Sequence, residues 1–151
     1  MTKKILLIIS AVILASFLAI SCGDKNTDPT ITPPTKEEVV KFQGTWGGEV
    51  SKISGASEMS PKWGGYFTIN ADGSIKDETT TQTIALDKIN KVSDNVFEFT
   101  FEATQEGVKM TFKHKVDFTD NNAPKDTLVW TMEAQGQSAS ATYEGTLMKM
   151  Q

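Results

Sequence analysis

Cysteine and histidine, the side chains most often used in nucleophilic and acid–base catalysis, occur once each in this chain of 151 residues, as Cys22 and His114. A serine nucleophile needs a histidine base oriented by a carboxylate, and the sequence contains no Gly-x-Ser-x-Gly turn that would expose such a serine. A zinc site needs several His or Cys ligands, which one of each cannot supply. The sequence therefore predicts that the protein is not an enzyme.

Two acidic segments are candidates for calcium binding, namely "NADGS" at residues 70–74 and "DNN" at residues 120–122. Neither continues into the regular acidic spacing and glycine of a calcium-binding loop. Aspartate, asparagine and glycine are also the residues that tight turns prefer. We therefore expect both segments to be turns, and we expect no metal and no cofactor.

The lone cysteine follows a basic start and an apolar run over residues 5–20. This order is typical of a secretory signal, and the run is short for a bilayer-spanning helix. Ala19-Ile20-Ser21-Cys22 resembles the lipobox of bacterial lipoproteins, in which a small residue precedes the lipidated cysteine. The resemblance implies cleavage before Cys22, acylation of Cys22 with fatty acids such as palmitate, and a stable membrane anchor. The alternative is a cleaved, freely secreted protein with an incidental cysteine.

Three segments follow from this interpretation. Residues 1–21 are predicted to be a signal peptide, and residues 22–34 a lipidated flexible tether, because the stretch after Cys22 holds three prolines and almost no apolar side chain. Residues 35–151 are long enough for one folded domain. The resemblance implies a lipid-anchored protein of the bacterial cell envelope, in the outer membrane at its periplasmic face or at the surface.

The charge of the chain argues against nucleic-acid binding. Removal of Lys3 and Lys4 with the signal changes the formal net charge from −4 to −6, so the mature chain has no electrostatic attraction for phosphates. Arginine is absent from the sequence, which removes the bidentate clamps that recognise phosphate and carboxylate groups.

The domain shows the two-residue alternation of half-buried strands. "NVFEFTFEA" at 95–103, "GVKMTFKHKVDF" at 107–118 and "DTLVWTMEA" at 126–134 each place apolar residues on one face and polar residues on the other. Ahead of them, Thr35 and Glu38 form a capping-box pattern that predicts a short N-terminal helix. Eight strands are predicted, near residues 44–53, 63–71, 74–80, 82–92, 95–104, 107–119, 126–135 and 139–150.

Consecutive antiparallel strands with tight turns form a meander, and about eight of them can close and remove their exposed edges. The expected fold class is therefore all-β, as an eight-stranded antiparallel up-and-down barrel. A Greek-key sandwich is the alternative, although no long crossing connection is evident.

The segment "KFQGTWGGEV" at 41–50 carries a second resemblance. Gly44-Thr45-Trp46 resembles the Gly-x-Trp motif that opens the first strand of lipocalins and their calycin relatives, just after a short helical turn. The resemblance implies a lipocalin-like barrel whose end is closed by Trp46 under a cationic side chain from near the last strand. Lys149 stands where that family usually has arginine, and such a cation–aromatic contact is physically reasonable. The alternative is a tryptophan that packs in some other β core.

The inward faces of the predicted strands are rich in aromatic residues, which permits two interpretations. These side chains can line a cavity for a small apolar ligand or simply fill the barrel, since eight strands leave room for side chains or one small ligand. For His114 the alternatives are a polar contact inside such a cavity and an imidazole satisfied by a neighbour such as Tyr143 or a threonine. The candidate cavity residues are Phe67, Phe97, Phe99, Phe101, Met110, Phe112, His114, Leu128, Trp130 and Tyr143.

Two functions remain open from the sequence. The first is a membrane-anchored, lipocalin-like protein that binds a small apolar ligand at the cell envelope. The second is an envelope protein-interaction module, such as an inhibitor or adhesin, with a filled barrel and "SGASEMSPKW" at 54–63 as its binding surface. A cavity of about 300 Å³ or more would favour the first function, and a packed core the second.

Overall fold

A computed structural model describes residues 31–150, so the predicted signal peptide and the lipidation at Cys22 lie outside the described residues. The folded unit begins at Ile31, ahead of the predicted boundary. The Thr32 amide donates to Asn90 Oδ1 at 3.0 Å, and the Thr32 carbonyl accepts from the Lys91 amide at 2.7 Å. Pro34 is buried. The end of the predicted tether is thus attached to the domain.

Helix α1 spans Lys36–Val40 and begins with a capping box. The Thr35 amide donates to Glu38 Oε2 at 2.8 Å, and the Glu38 amide donates to Thr35 Oγ1. Glu38 also accepts from Lys91, and this hydrogen bond is the main reason why the pKa of Glu38 is lowered. Val39 is buried, so the helix packs one apolar face onto the domain. No helix within residues 31–150 has the length and apolar character needed to cross a bilayer.

All the strands of the described chain belong to a single antiparallel sheet. Its strands are β1 Gly44–Gly55, β2 Lys62–Ile69, β3 Ile75–Asp77, β4 Thr83–Ile84, β5 Asn90–Ser93, β6 Val96–Gln105, β7 Val108–Asp117, β8 Lys125–Ala134, β9 Gln137–Thr146 and β10 Met148–Met150. The strand order is β4-β3-β2-β1-β9-β8-β7-β6-β5, and β10 also pairs with β1. The all-β class is therefore confirmed.

The sheet curls into a half-barrel. The long strands β1 and β9 pair with each other, whereas β4 and β5, at the two ends of the order, share no hydrogen-bonded ladder in the described chain. One side chain bridges this seam, because the Glu102 amide on β6 donates to Gln82 Oε1 at 2.7 Å. The connection is a side-chain contact rather than continued strand pairing.

The predicted count of eight strands is not confirmed, because residues 31–150 form ten strands and two of the predicted strands are interrupted. Ile84 and Ile89 are both buried, yet five-residue spacing would put them on opposite faces of one continuous strand. A 3₁₀ turn at Leu86–Lys88 shifts the phase so that both point inward. In the last predicted strand, the Leu147 amide donates to the Pro124 carbonyl at 2.8 Å, which separates β9 from β10.

The half-barrel has two different ends. At one end lie the hairpin turns Glu106-Gly107 and Gln135-Gly136 and the loop at 56–61 between β1 and β2, and we call it the loop end. Both turns have positive φ at each central residue, between 52° and 80°, which is the geometry that matches strand twist in two-residue hairpins. At the other end lies α1, and we call it the helix end.

Aromatic side chains seal the helix end. The Phe42 and Phe118 rings stack with centroids 4.4 Å apart, and Trp46 meets Phe118 edge-on at 5.3 Å. Phe97 contacts both phenylalanine rings. Offset and edge-on pairs of this kind add to the free energy of burying the rings.

We expect Phe118→Ala to lower the free energy of unfolding by about 3–5 kcal/mol, because it removes a 1% exposed ring and leaves a void among its partners. Urea denaturation measures the change. Val92→Ala, at an exposed position, is the control and should change the stability by less than about 0.5 kcal/mol. Equal losses in the two variants would contradict the sealing role of this cluster.

Candidate functional site

The predicted cavity residues all face the interior, but they pack against one another. Residues opposite each other on paired strands share a face, and two rows cross β6, β7, β8 and β9. One row is Phe101, Phe112, Trp130 and Ala141, and the next is Phe99, His114, Leu128 and Tyr143. Phe67, Phe97, Phe99, Phe101, Phe112, His114, Leu128 and Tyr143 are buried, whereas Met110 and Trp130 are half-buried at the loop end.

His114 lies at the centre of this interior. Its Nδ1 atom is 2.9 Å from Oδ2 of Asp126, and the two side chains are 3% and 1% exposed. The Phe99 ring stacks on the imidazole at 5.3 Å, and Trp63 lies 5.8 Å away. The imidazole is therefore satisfied by a neighbour in the interior, although that neighbour is Asp126 rather than Tyr143 or a threonine, and the pair is closed off from solvent.

Sequence reasoning missed Asp126 although the signal was present. In "DTLVWTMEA" the alternation that turns Leu128 and Trp130 inward turns Asp126 inward as well. A carboxylate at an inward position needs a buried partner, and the single histidine occupies an inward position on the neighbouring strand. Oδ1 of Asp126 has no hydrogen-bond partner among the described residues.

The cavity beside His114 is small. It measures about 10 Å³, which is room for about one water molecule. Its lining includes Gly48, Gly65 and Asp77 as well as the histidine pair. A Cβ at Gly65 would lie 2.1 Å from the Trp63 ring, so the indole occupies the space that this glycine leaves. A drug-sized ligand needs some 300 Å³ or more.

At the helix end the structure brings the Gly44, Trp46 and Lys149 positions together. The Trp46 indole donates from Nε1 to the Phe42 carbonyl at 2.8 Å, and Lys149 Nζ lies 5.4 Å from the Trp46 ring centroid. Lys149 Cε also lies where a side chain at Gly44 would start, 2.5 Å from its ideal Cβ. A glycine at this position lets the lysine lie against the strand.

The 56–61 loop is held in place by a lysine that sequence reasoning also missed. Lys52, at an inward position of β1 opposite Tyr143, donates to the carbonyls of Ala56, Ser57 and Met59 at 3.0, 3.3 and 2.8 Å. Charge-assisted hydrogen bonds of this kind are about twice as strong as neutral ones. The sequence did contain the information: Lys52 lies an even number of residues after Trp46 and Val50, so the alternation that turns those two side chains inward turns Lys52 inward as well.

Further contacts fix the same loop. The Tyr143 hydroxyl donates to the Ser60 carbonyl at 2.9 Å, and burial raises the pKa of Tyr143, which keeps this donor protonated. The Ala56 amide donates to the Ser140 carbonyl at 2.9 Å. Met59 is 2% exposed beneath the loop, while Ser57 and Glu58 are exposed. The loop therefore presents polar side chains on an ordered backbone.

Beside the loop lies an apolar surface that we call the mouth, formed by Trp63, Met110, Trp130 and Met132. All four residues are half-buried and pack on the core. Phe112 underlies the mouth, with its ring 5.7 Å from Trp63 and 5.6 Å from Trp130. Trp130 Nε1 has no acceptor among the described residues.

Within residues 31–150, no group of three or more His, Cys, Asp or Glu side chains is arranged to hold a metal ion. The chain matches no family model, no curated protein and no solved structure in the comparisons with known proteins. Its fold and site define the protein as an antiparallel half-barrel with a filled interior and an ordered loop at one end.

We expect His114→Leu to lower the free energy of unfolding by about 3–5 kcal/mol, because it leaves Asp126 buried without its partner. The double variant His114→Leu/Asp126→Val should recover most of that loss, because neither polar member of the pair is then left buried without the other. Urea denaturation of the two single variants, the double variant and the original chain gives the coupling free energy. Additive losses would contradict a coupled buried pair.

Proposed function

We propose that this protein is a bacterial envelope lipoprotein whose lipocalin-like barrel is a protein-interaction module. The observation that carries the proposal is the filled interior, in which Phe101, Leu128 and Tyr143 are 0% exposed. Side chains occupy the volume that an enclosed apolar ligand would need. A partner that binds the surface requires no such volume.

The lipocalin-like assignment is supported by strand order as well as by the Gly-x-Trp segment. Strand β10 and the adjoining part of β9, up to the bulge after Lys52, pair with β1 in the same register, so β9 and β10 correspond to one interrupted strand. If β4 and β5 also count as one strand broken by the 3₁₀ turn, the order becomes that of an eight-stranded up-and-down barrel. Trp46 under Lys149 at the helix end is the arrangement that the lipocalin resemblance implies.

The ordered 56–61 loop supports a binding role at the loop end. Binding a flexible loop costs conformational entropy, about 0.5–1.5 kcal/mol for each side chain that is immobilised. Lys52 and Tyr143 already fix four points of this loop through its carbonyls. The backbone therefore needs little further ordering on binding. Its exposed side chains are those of Ser57, Glu58 and Ser60.

The position of the chain entry supports the same surface. Thr32 is bonded to Asn90 and Lys91 of β5, which pairs with the first residues of β6 at the helix end. The described chain therefore enters the folded unit at the helix end, away from the proposed surface at the loop end.

We expect the mature chain to begin at Cys22 and to carry the added mass of acyl chains, measured by intact-protein mass spectrometry. Cys22→Ser should retain residues 1–21 and lack that mass, because the residue that accepts the lipid is absent. Ser21→Ala is the matched control and should be processed normally, since it keeps a small residue before the cysteine. A mature chain that starts elsewhere, without acyl mass, would count against the anchor.

Site-specific photo-crosslinking in cells tests the interaction surface. A photoreactive residue at Ser57, on the loop, should yield a discrete adduct with one envelope protein. The same residue at Asn121, exposed near the helix end, should not yield it. The full chain, with its anchor, is used for both positions.

Native mass spectrometry separates this proposal from ligand binding. The purified protein should show no retained small molecule, because its interior is filled. The interaction module is rejected if both crosslinking positions give the same adducts or none, and a stoichiometric apolar molecule would favour the ligand-binding function instead.

A further inference from the structure

The mouth combines rigid and adaptable apolar groups. Trp63 and Trp130 are held by contacts with Phe112, whereas Met110 and Met132, opposite each other on β7 and β8, have flexible thioether side chains. Tryptophan is enriched among the residues that dominate binding energies, and methionine surfaces adapt to the shape of an incoming side chain. The mouth is therefore suited to receive an apolar side chain.

The rim of the mouth is acidic. Each lysine at the loop end is already held by oxygen atoms, since Lys52 is bonded to carbonyls, Lys62 to Glu49 and Lys109 to Glu102. The hydrogen bond that Lys109 donates to Glu102 is the main reason why the pKa of Lys109 is raised, with a smaller contribution from Glu133.

Two exposed carboxylates at the loop end have no such lysine. Glu58 and Glu106 form no ion pair within the described part of the chain. They lie respectively on the 56–61 loop and on the β6–β7 turn, both at the same end of the half-barrel as the mouth. Their combined field attracts cationic groups and disfavours anionic ones.

We propose that the mouth binds a segment of a partner protein in which an apolar side chain is flanked by lysine or arginine. The inference rests on the proposed interaction function and adds the chemistry of the partner. The apolar side chain packs on Met110 and Met132, and the cationic neighbours face the rim glutamates.

Three synthetic peptides that differ only at a central triplet test this proposal: Lys-Leu-Lys, Lys-Ser-Lys and Glu-Leu-Glu. Affinity is measured by fluorescence anisotropy on the full, lipidated protein in phosphatidylcholine nanodiscs, with empty nanodiscs as the blank. The Lys-Leu-Lys peptide should bind at least about tenfold more tightly than either of the others. Its affinity should also fall as salt is added, because the rim contribution is electrostatic.

Matched variants locate the binding. Met132→Ser should weaken Lys-Leu-Lys binding, whereas Met148→Ser, at an exposed position of the helix end, should leave it unchanged. The double variant Glu58→Gln/Glu106→Gln should reduce both affinity and salt dependence, whereas Glu37→Gln on α1 should alter neither. Thermal unfolding of each variant verifies that the fold is kept.

The outcomes separate the two proposals. Equal binding of Lys-Leu-Lys and Lys-Ser-Lys, or of Lys-Leu-Lys and Glu-Leu-Glu, overturns the assigned partner chemistry, as do equal effects of the two methionine variants. If the crosslink from position 57 nevertheless forms, the interaction function stands and only its assigned chemistry fails.

Discussion

The inward faces of neighbouring strands meet in rows, and this packing constrains everything else in the domain. Because opposite residues on paired strands share a face, Phe99, His114 and Leu128 lie side by side, as do Phe101 and Phe112 one row nearer the loop end. Rings in successive rows contact one another, so the centre retains a cavity of only about 10 Å³ beside His114. Any function of the domain must then lie at its ends or on its outer surface.

Polar groups enter this interior only where a specific partner exists, and those partners connect the core to the loop. His114 and Asp126 satisfy each other within the rows. Lys52 and Tyr143 also occupy inward positions, but their side chains donate hydrogen bonds to carbonyls of the 56–61 loop. Burying a lysine or a tyrosine hydroxyl is costly unless it is hydrogen-bonded, so the loop backbone is what makes these two residues tolerable inside. Core and loop therefore stabilise each other.

Alternation alone was sufficient to predict the all-β class, the antiparallel meander and the inward face of the cavity residues. It was not sufficient to predict strand continuity: Ile84 and Ile89 are five residues apart, and only the 3₁₀ turn at Leu86–Lys88 shows how both reach the core. The sequence also left open whether the barrel is hollow, since that depends on how the ring volumes fit once Trp63 lies over Gly65. Asp126 and Lys52 were missed because a charged residue near a strand end is usually solvated. The partner of Asp126 is also distant in sequence, since His114 lies on the neighbouring strand.

The two ends of the half-barrel differ in how completely their apolar residues are buried. This difference is the physical basis for proposing that the chain enters at the helix end and that a partner binds at the loop end. The helix end is closed by stacked, buried rings, with Phe42, Phe97 and Phe118 each no more than 3% exposed, and it is where the chain enters at Ile31. The loop end instead leaves two tryptophans and two methionines half-buried, with Glu58 and Glu106 exposed on the loop and turn of the same end. Covering the loop end with further aromatic residues would stabilise the domain, as it does at the helix end. An apolar surface left incomplete at one end of an otherwise filled domain is consistent with completion by a partner.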